Sequence, residues 1–79
     1  MAIPDRHKLE MDLERELDHC DAAERQVAEQ RTRVTYLEEQ GFGSDCAKSV
    51  LRMFEESLKM HEEHRDIVTD ELRKMDEMY

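Results

Sequence analysis

The chain has 79 residues and only three backbone breakers, Pro4 near one end and Gly41 and Gly43 near the middle. Proline removes an amide donor and glycine costs about 1 kcal/mol in a helix interior, so helices end where these residues stand. The two long stretches between and after them contain neither type. This placement predicts an all-α single domain: helix one over about 5–40, a turn at 41–44 and helix two over about 45–78. Each helix is then about 50 Å long at 1.5 Å per residue. Gln40-Gly41-Phe42 reads as a Schellman ending, with Gly41 left-handed and Phe42 folding back on Leu37. Ser44 or Asp45 is expected to cap the next helix by accepting a bond from a free amide. So short a connection makes the helices antiparallel neighbours.

Hydrophobic spacing fits a coiled-coil-like hairpin. Helix two carries Ala47, Leu51, Phe54, Leu58, His61, Arg65, Val68, Leu72, Met75 and Tyr79 at alternating steps of four and three, an a/d seam. Helix one offers a weaker stripe of Leu9, Leu13, Leu17, Cys20, Ala23, Val27, Val34 and Leu37, interrupted by Glu16 and Gln30. Folding about Phe42-Gly43 sets Val34 near Leu51, Val27 near Leu58, Leu17 near Val68 and Leu13 near Leu72. These eight residues, with Leu37 and Phe54, are the expected hairpin core. The same register places Cys20 far along the rod from Cys46, by roughly 30 Å at 1.5 Å per residue. A disulfide needs Cα atoms within about 7 Å, so none is expected within one chain.

A hairpin this small rarely gains more than about 3–5 kcal/mol from its own core. Helix two has material for a second contact, because Met53, Met60 and Ile67 recur every seven residues, with Val50 and Met78 at the neighbouring heptad position. Added to the seam, they widen the apolar arc beyond what one partner helix covers. The leading expectation is a homodimer packed as a four-helix bundle. The alternative is docking to one different protein, where flexible methionine side chains adapt to the partner's contour. A monomer with scattered surface methionines is the third reading.

Chemistry-bearing groupings are few. In His61-Glu62-Glu63-His64 the two histidines lie at i and i+3 on one helix face, and the hairpin register brings His19 and Cys20 across from His64 and Arg65. Those four residues, His61, His64, His19 and Cys20, are the weak candidates for a metal site of the zinc type. Against this, His61 and Arg65 occupy seam positions where a long polar side chain sets register instead, with Arg65 reaching Glu16 or Glu24. The structural reading is preferred, and no cofactor is expected. Cys46, in the first turn of helix two, has the environment of a reactive thiolate but also of any small residue near a helix start. No Ser/His/Asp arrangement or glycine-rich phosphate loop exists, and carboxylate pairs such as Glu55-Glu56 lie outside the seam with nothing to exclude water. No catalytic residues are assigned and an enzyme is not expected.

The net charge of −9, with 42% charged residues, is spread over both helices. Direct binding to nucleic acid or an anionic membrane is therefore disfavoured. An acidic rod can instead imitate the phosphate surface of a duplex and block a basic cleft, as phage inhibitors of host defence do. Glu55, Glu62, Glu63, Asp66 and Asp70 offer carboxylates for that role, with Arg52, Lys59 and Arg73 among them. No segment approaches the roughly 20 apolar residues of a membrane span. The first residues lack a secretory apolar run, and a cytoplasmic location is expected.

The stretch Leu51-Arg52-Met53-Phe54-Glu55-Glu56-Ser57-Leu58-Lys59-Met60-His61, followed by His64-Arg65-Asp66 and Glu71-Leu72, resembles short uncharacterised alphaproteobacterial proteins. These share an L-x-x-F-E-x-x-L-x-x-H-x-x-x-R-D-x-x-x-x-E-L pattern. Phe54, His61 and Arg65-Asp66 are its distinctive members, and about half the chain is covered. The resemblance implies a helical hairpin and assigns no activity.

Overall fold

A computed structural model describes residues 6–78 of the chain, Met78 without its side chain. Two helices, α1 (Arg6–Glu39) and α2 (Asp45–Met78), pack side by side as a hairpin. The rod measures 59 × 18 × 15 Å. Among the described residues there is no strand, and no helix is long and apolar enough to cross a membrane.

The turn forms as the glycine placement requires. Gly41 takes φ +75°, a left-handed conformation that side-chain-bearing residues adopt at a cost. Its amide donates to the Glu38 carbonyl at 3.1 Å and the Phe42 amide to the Leu37 carbonyl at 2.9 Å, the two bonds of a Schellman ending. The Phe42 ring itself stays exposed, so the backbone bonds close α1 with little help from the hydrophobic contact. Ser44 stands immediately before α2, is buried, and accepts the Lys48 amide at 2.8 Å through its carbonyl. Asp45 adds an acidic side chain in the first turn, where the helix dipole favours it.

Cross-helix contacts run from end to end. Arg6 pairs with Asp76 at the open end, while Arg31–Glu55 and Lys48–Glu38, both at 3.2 Å, bridge the helices nearer the turn. Exposed pairs of this kind are screened by water and add little to stability. The Gln30 amide group donates to the Ala47 carbonyl at 2.9 Å, tying α1 to the first turn of α2. Both cysteines are free, Cys20 buried and Cys46 exposed, as the axial separation predicts.

The α2 seam lies where the heptad places it. Val68 and Leu72 are buried, and Ala47, Leu51, Phe54, Leu58, His61, Arg65 and Met75 are half-buried. Tyr79 lies outside the described residues. On α1 the seam is corrected by one position. Its inward residues are Leu9, Leu13, Glu16, Cys20, Ala23, Val27, Gln30, Val34 and Leu37, an unbroken alternation of four and three. Leu17, expected in the core, is 49% exposed. It lies about 100° round the helix from Glu16, so both cannot point inward, and the heptad phase set by Cys20 through Leu37 selects Glu16. The two residues that interrupt the apolar stripe in the sequence are thus members of the seam.

Candidate functional site

The consequence of that phase is a carboxylate inside the hairpin. Glu16 is 5% exposed, and a buried carboxylate requires partners to offset the hydration it loses. Helix α2 supplies them from its seam and from the face beside it. His61 Nδ1 lies 2.5 Å from Glu16 Oε1, and His64 Nδ1 lies 2.8 Å from Oε2. A third imidazole comes from α1 itself, one turn on, with His19 Nδ1 3.6 Å from Oε2. The rings of His19 and His61 are tilted at 57° with centroids 5.1 Å apart. Two i,i+3 pairs, Glu16-x-x-His19 on α1 and His61-x-x-His64 on α2, therefore face each other across the seam.

This arrangement fixes proton positions. An ionised carboxylate only accepts, so His61 and His64 each present an Nδ1–H to Glu16. Burial pushes the Glu16 carboxyl up, while the bonds from His61 and His64 and the charges of both pull it down, and the net result lies below the usual carboxylate value. Glu16 is thus a poor proton donor at neutral pH and a fixed negative charge at mid-rod.

Of the four sequence candidates, the fold brings His19, His61 and His64 onto one carboxylate. One ligand atom from each of Glu16, His19 and His61 lies within 4.8 Å of the others. Cys20 takes a different place, buried in the seam, where desolvation pushes its thiol up and the Arg65 charge only partly opposes this. Metal ligation needs a thiolate, so burial works against Cys20 as a ligand. Arg65 pairs with neither Glu16 nor Glu24; its guanidinium bonds its neighbour Asp66 at 3.0 Å. The side chain is only partly buried, and an adjacent carboxylate at the rim costs less desolvation than a pair drawn into the seam.

Glu16 is the member that residue-by-residue reading passes over as an interruption. Its signal is present in Glu16-Leu17-Asp18-His19, an acid and an imidazole one turn apart, at a seam position.

The second candidate surface is the methionine stripe. Met53, Met60 and Ile67 are 66%, 68% and 58% exposed, and Val50 flanks them. Met78 is helical at the end of the same row, and its side chain lies outside the described residues. His64 falls on this row between Met60 and Ile67, so the histidine cluster borders the stripe. The carboxylates singled out for duplex imitation are largely compensated. Glu55 pairs with Arg31, Asp66 with Arg65, and Asp70 with Arg73 and Lys74. Comparison of the chain with family models, curated proteins and solved structures finds no match.

Proposed function

We propose that the protein is a small non-enzymatic interaction module that works as a homodimer, two hairpins joined through the Met53, Met60 and Ile67 face into a four-helix bundle. The observation that carries this reading is the exposure of three large apolar side chains at heptad spacing on the same helix. Isolated surface apolar residues are ordinary, whereas an aligned row along a helix is the pattern of a packing face.

Surface area supports the same reading. The hairpin exposes 6324 Å², against ~5,000 Å² for a compact monomer of this mass. The excess is larger than the ~800 Å² that each partner contributes to a standard interface, so a contact of that size can be accommodated. A second copy of the chain offers an identical methionine row, which satisfies the self-complementarity of a two-fold contact. On this reading the bundle acts in the cytoplasm, with no membrane or nucleic-acid contact of its own. The alphaproteobacterial proteins that its second helix resembles would share this architecture. Partial neutralisation of Glu55, Asp66 and Asp70 by cations favours this function over duplex imitation.

The test is the solution mass by light scattering across a dilution series. Twice the chain mass, falling to the single-chain mass in Met60→Asp with helicity retained, is the expected result. A wild-type monomer at all concentrations overturns the homodimer.

A further inference from the structure

We propose that Glu16, His19 and His61 form a binding site for a divalent transition-metal ion of the zinc type, built at mid-rod from one carboxylate and two imidazoles.

The donor set comes first. Carboxylate oxygen with imidazole nitrogen suits borderline first-row ions, zinc foremost, and suits magnesium or calcium poorly. Geometry follows. In a tetrahedral site with bonds of about 2.0–2.1 Å, neighbouring ligand atoms lie roughly 3.3–3.4 Å apart. Glu16 Oε2 and His19 Nδ1 are already at 3.6 Å, and one ligand atom from each of the three residues lies within 4.8 Å of the others. Glu16 and His61 stand closer, at 2.5 Å, because a proton now sits between them. An ion entering there replaces that proton, the Nδ1–H proton of His61 passes to solvent, and the pair opens by roughly 1 Å, within reach of small side-chain rotations.

Preorganisation is the third strand. Glu16 and His19 are fixed one turn apart on a 34-residue helix, and His61 comes from the facing helix, so backbone motion is not required. His64 donates to Glu16 Oε2 at 2.8 Å, the oxygen that also faces His19, and a bond of this kind orients a ligating carboxylate. His19 and His61 are both partly open to solvent, which gives the ion a path in. Three protein ligands leave a fourth position for water. The seam position of Glu16 points the same way, because a leucine there would pack without the desolvation cost of a charge.

The experiment is a titration of the full chain with Co²⁺, followed by visible absorption, and then displacement by Zn²⁺. One ion per chain, tetrahedral ligand-field bands and complete displacement by zinc are expected. His61→Ala, His19→Ala and Glu16→Gln should each weaken binding at least tenfold, while His7→Ala leaves it unchanged. Helicity by circular dichroism separates ligand loss from unfolding. As a check independent of variants, imidazole NMR signals of His19 and His61 in the wild-type chain should shift on zinc addition and that of His7 should not. No saturable binding, one ion per two chains, a thiolate charge-transfer band assigning Cys20, or affinity unaltered in folded His61→Ala would each overturn the site.

Discussion

Glu16 and His61 face each other across the hairpin at 2.5 Å, carboxylate oxygen to Nδ1, at two seam positions where an antiparallel helix pair ordinarily places leucine. Neither residue improves packing there. The pair sets an ionised group inside a rod whose buried apolar side chains are few and small, Ala23, Val27, Val34, Val68 and Leu72 with Cys20. Stability and the chemistry of mid-rod are therefore separable by substitution.

Replacing Glu16 with leucine should leave the hairpin about as stable as wild type, because the charge that must be desolvated is gone and the histidines left behind are open enough to be hydrated. His61, partly exposed, can then turn its nitrogen to water. Urea unfolding of Glu16→Leu against wild type measures this. A large loss of stability would mean that the carboxylate is structural.

The lowered carboxyl of Glu16 makes stability depend on pH with a definite sign. A carboxyl whose folded value lies below its unfolded value, about 4.3, contributes stability that is fully present above that value and is lost as pH falls through the folded one. Unfolding free energies measured from pH 7 down to pH 3 should decline below about pH 4.3. In Glu16→Gln the decline should be shallower, since the group that titrates is gone.

Leu17 and Leu72 should separate clearly. Leu72 is buried in the seam, and Leu72→Ala is expected to cost about 2–5 kcal/mol. Leu17 is exposed in the hairpin, so Leu17→Ser should stay within about 0.5 kcal/mol. Denaturant midpoints of the two variants decide the seam phase of α1.

The two turn glycines should also behave differently. Gly41 holds φ +75°, so Gly41→Ala is expected to cost about 1–2 kcal/mol although no atom lies within 4 Å of the added carbon. Gly43 has no such conformation and equal space, so Gly43→Ala should be neutral or stabilising by up to about 1 kcal/mol. Thermal melts of the two variants supply the comparison.

The dimer face is checked at Ile67. Ile67→Asp places a charge in the methionine row without touching the hairpin seam, and should halve the sedimentation mass while helicity stays constant. Unchanged mass would remove Ile67 from the interface.

Local signals sufficed for much of this protein. Gly41 and Gly43 break the chain once, Gly41 with Phe42 closes a Schellman ending, and the four-three spacing of α2 names its inward face. Each is read from residues a few positions apart, because helix propensity, left-handed glycine and helical periodicity act over a turn or two. The α1 seam was less legible, since reading by hydrophobicity followed Leu17 where the heptad phase required Glu16. Only the packed hairpin decided that point. Whether a polar residue on a helix faces inward depends on what the opposite helix offers it, and His61 and His64 stand 45 and 48 positions away in the chain. Sequence determined two helices and a turn; tertiary structure decided that a carboxylate and three imidazoles meet between them, because hydrogen bonds across a seam depend on register in three dimensions.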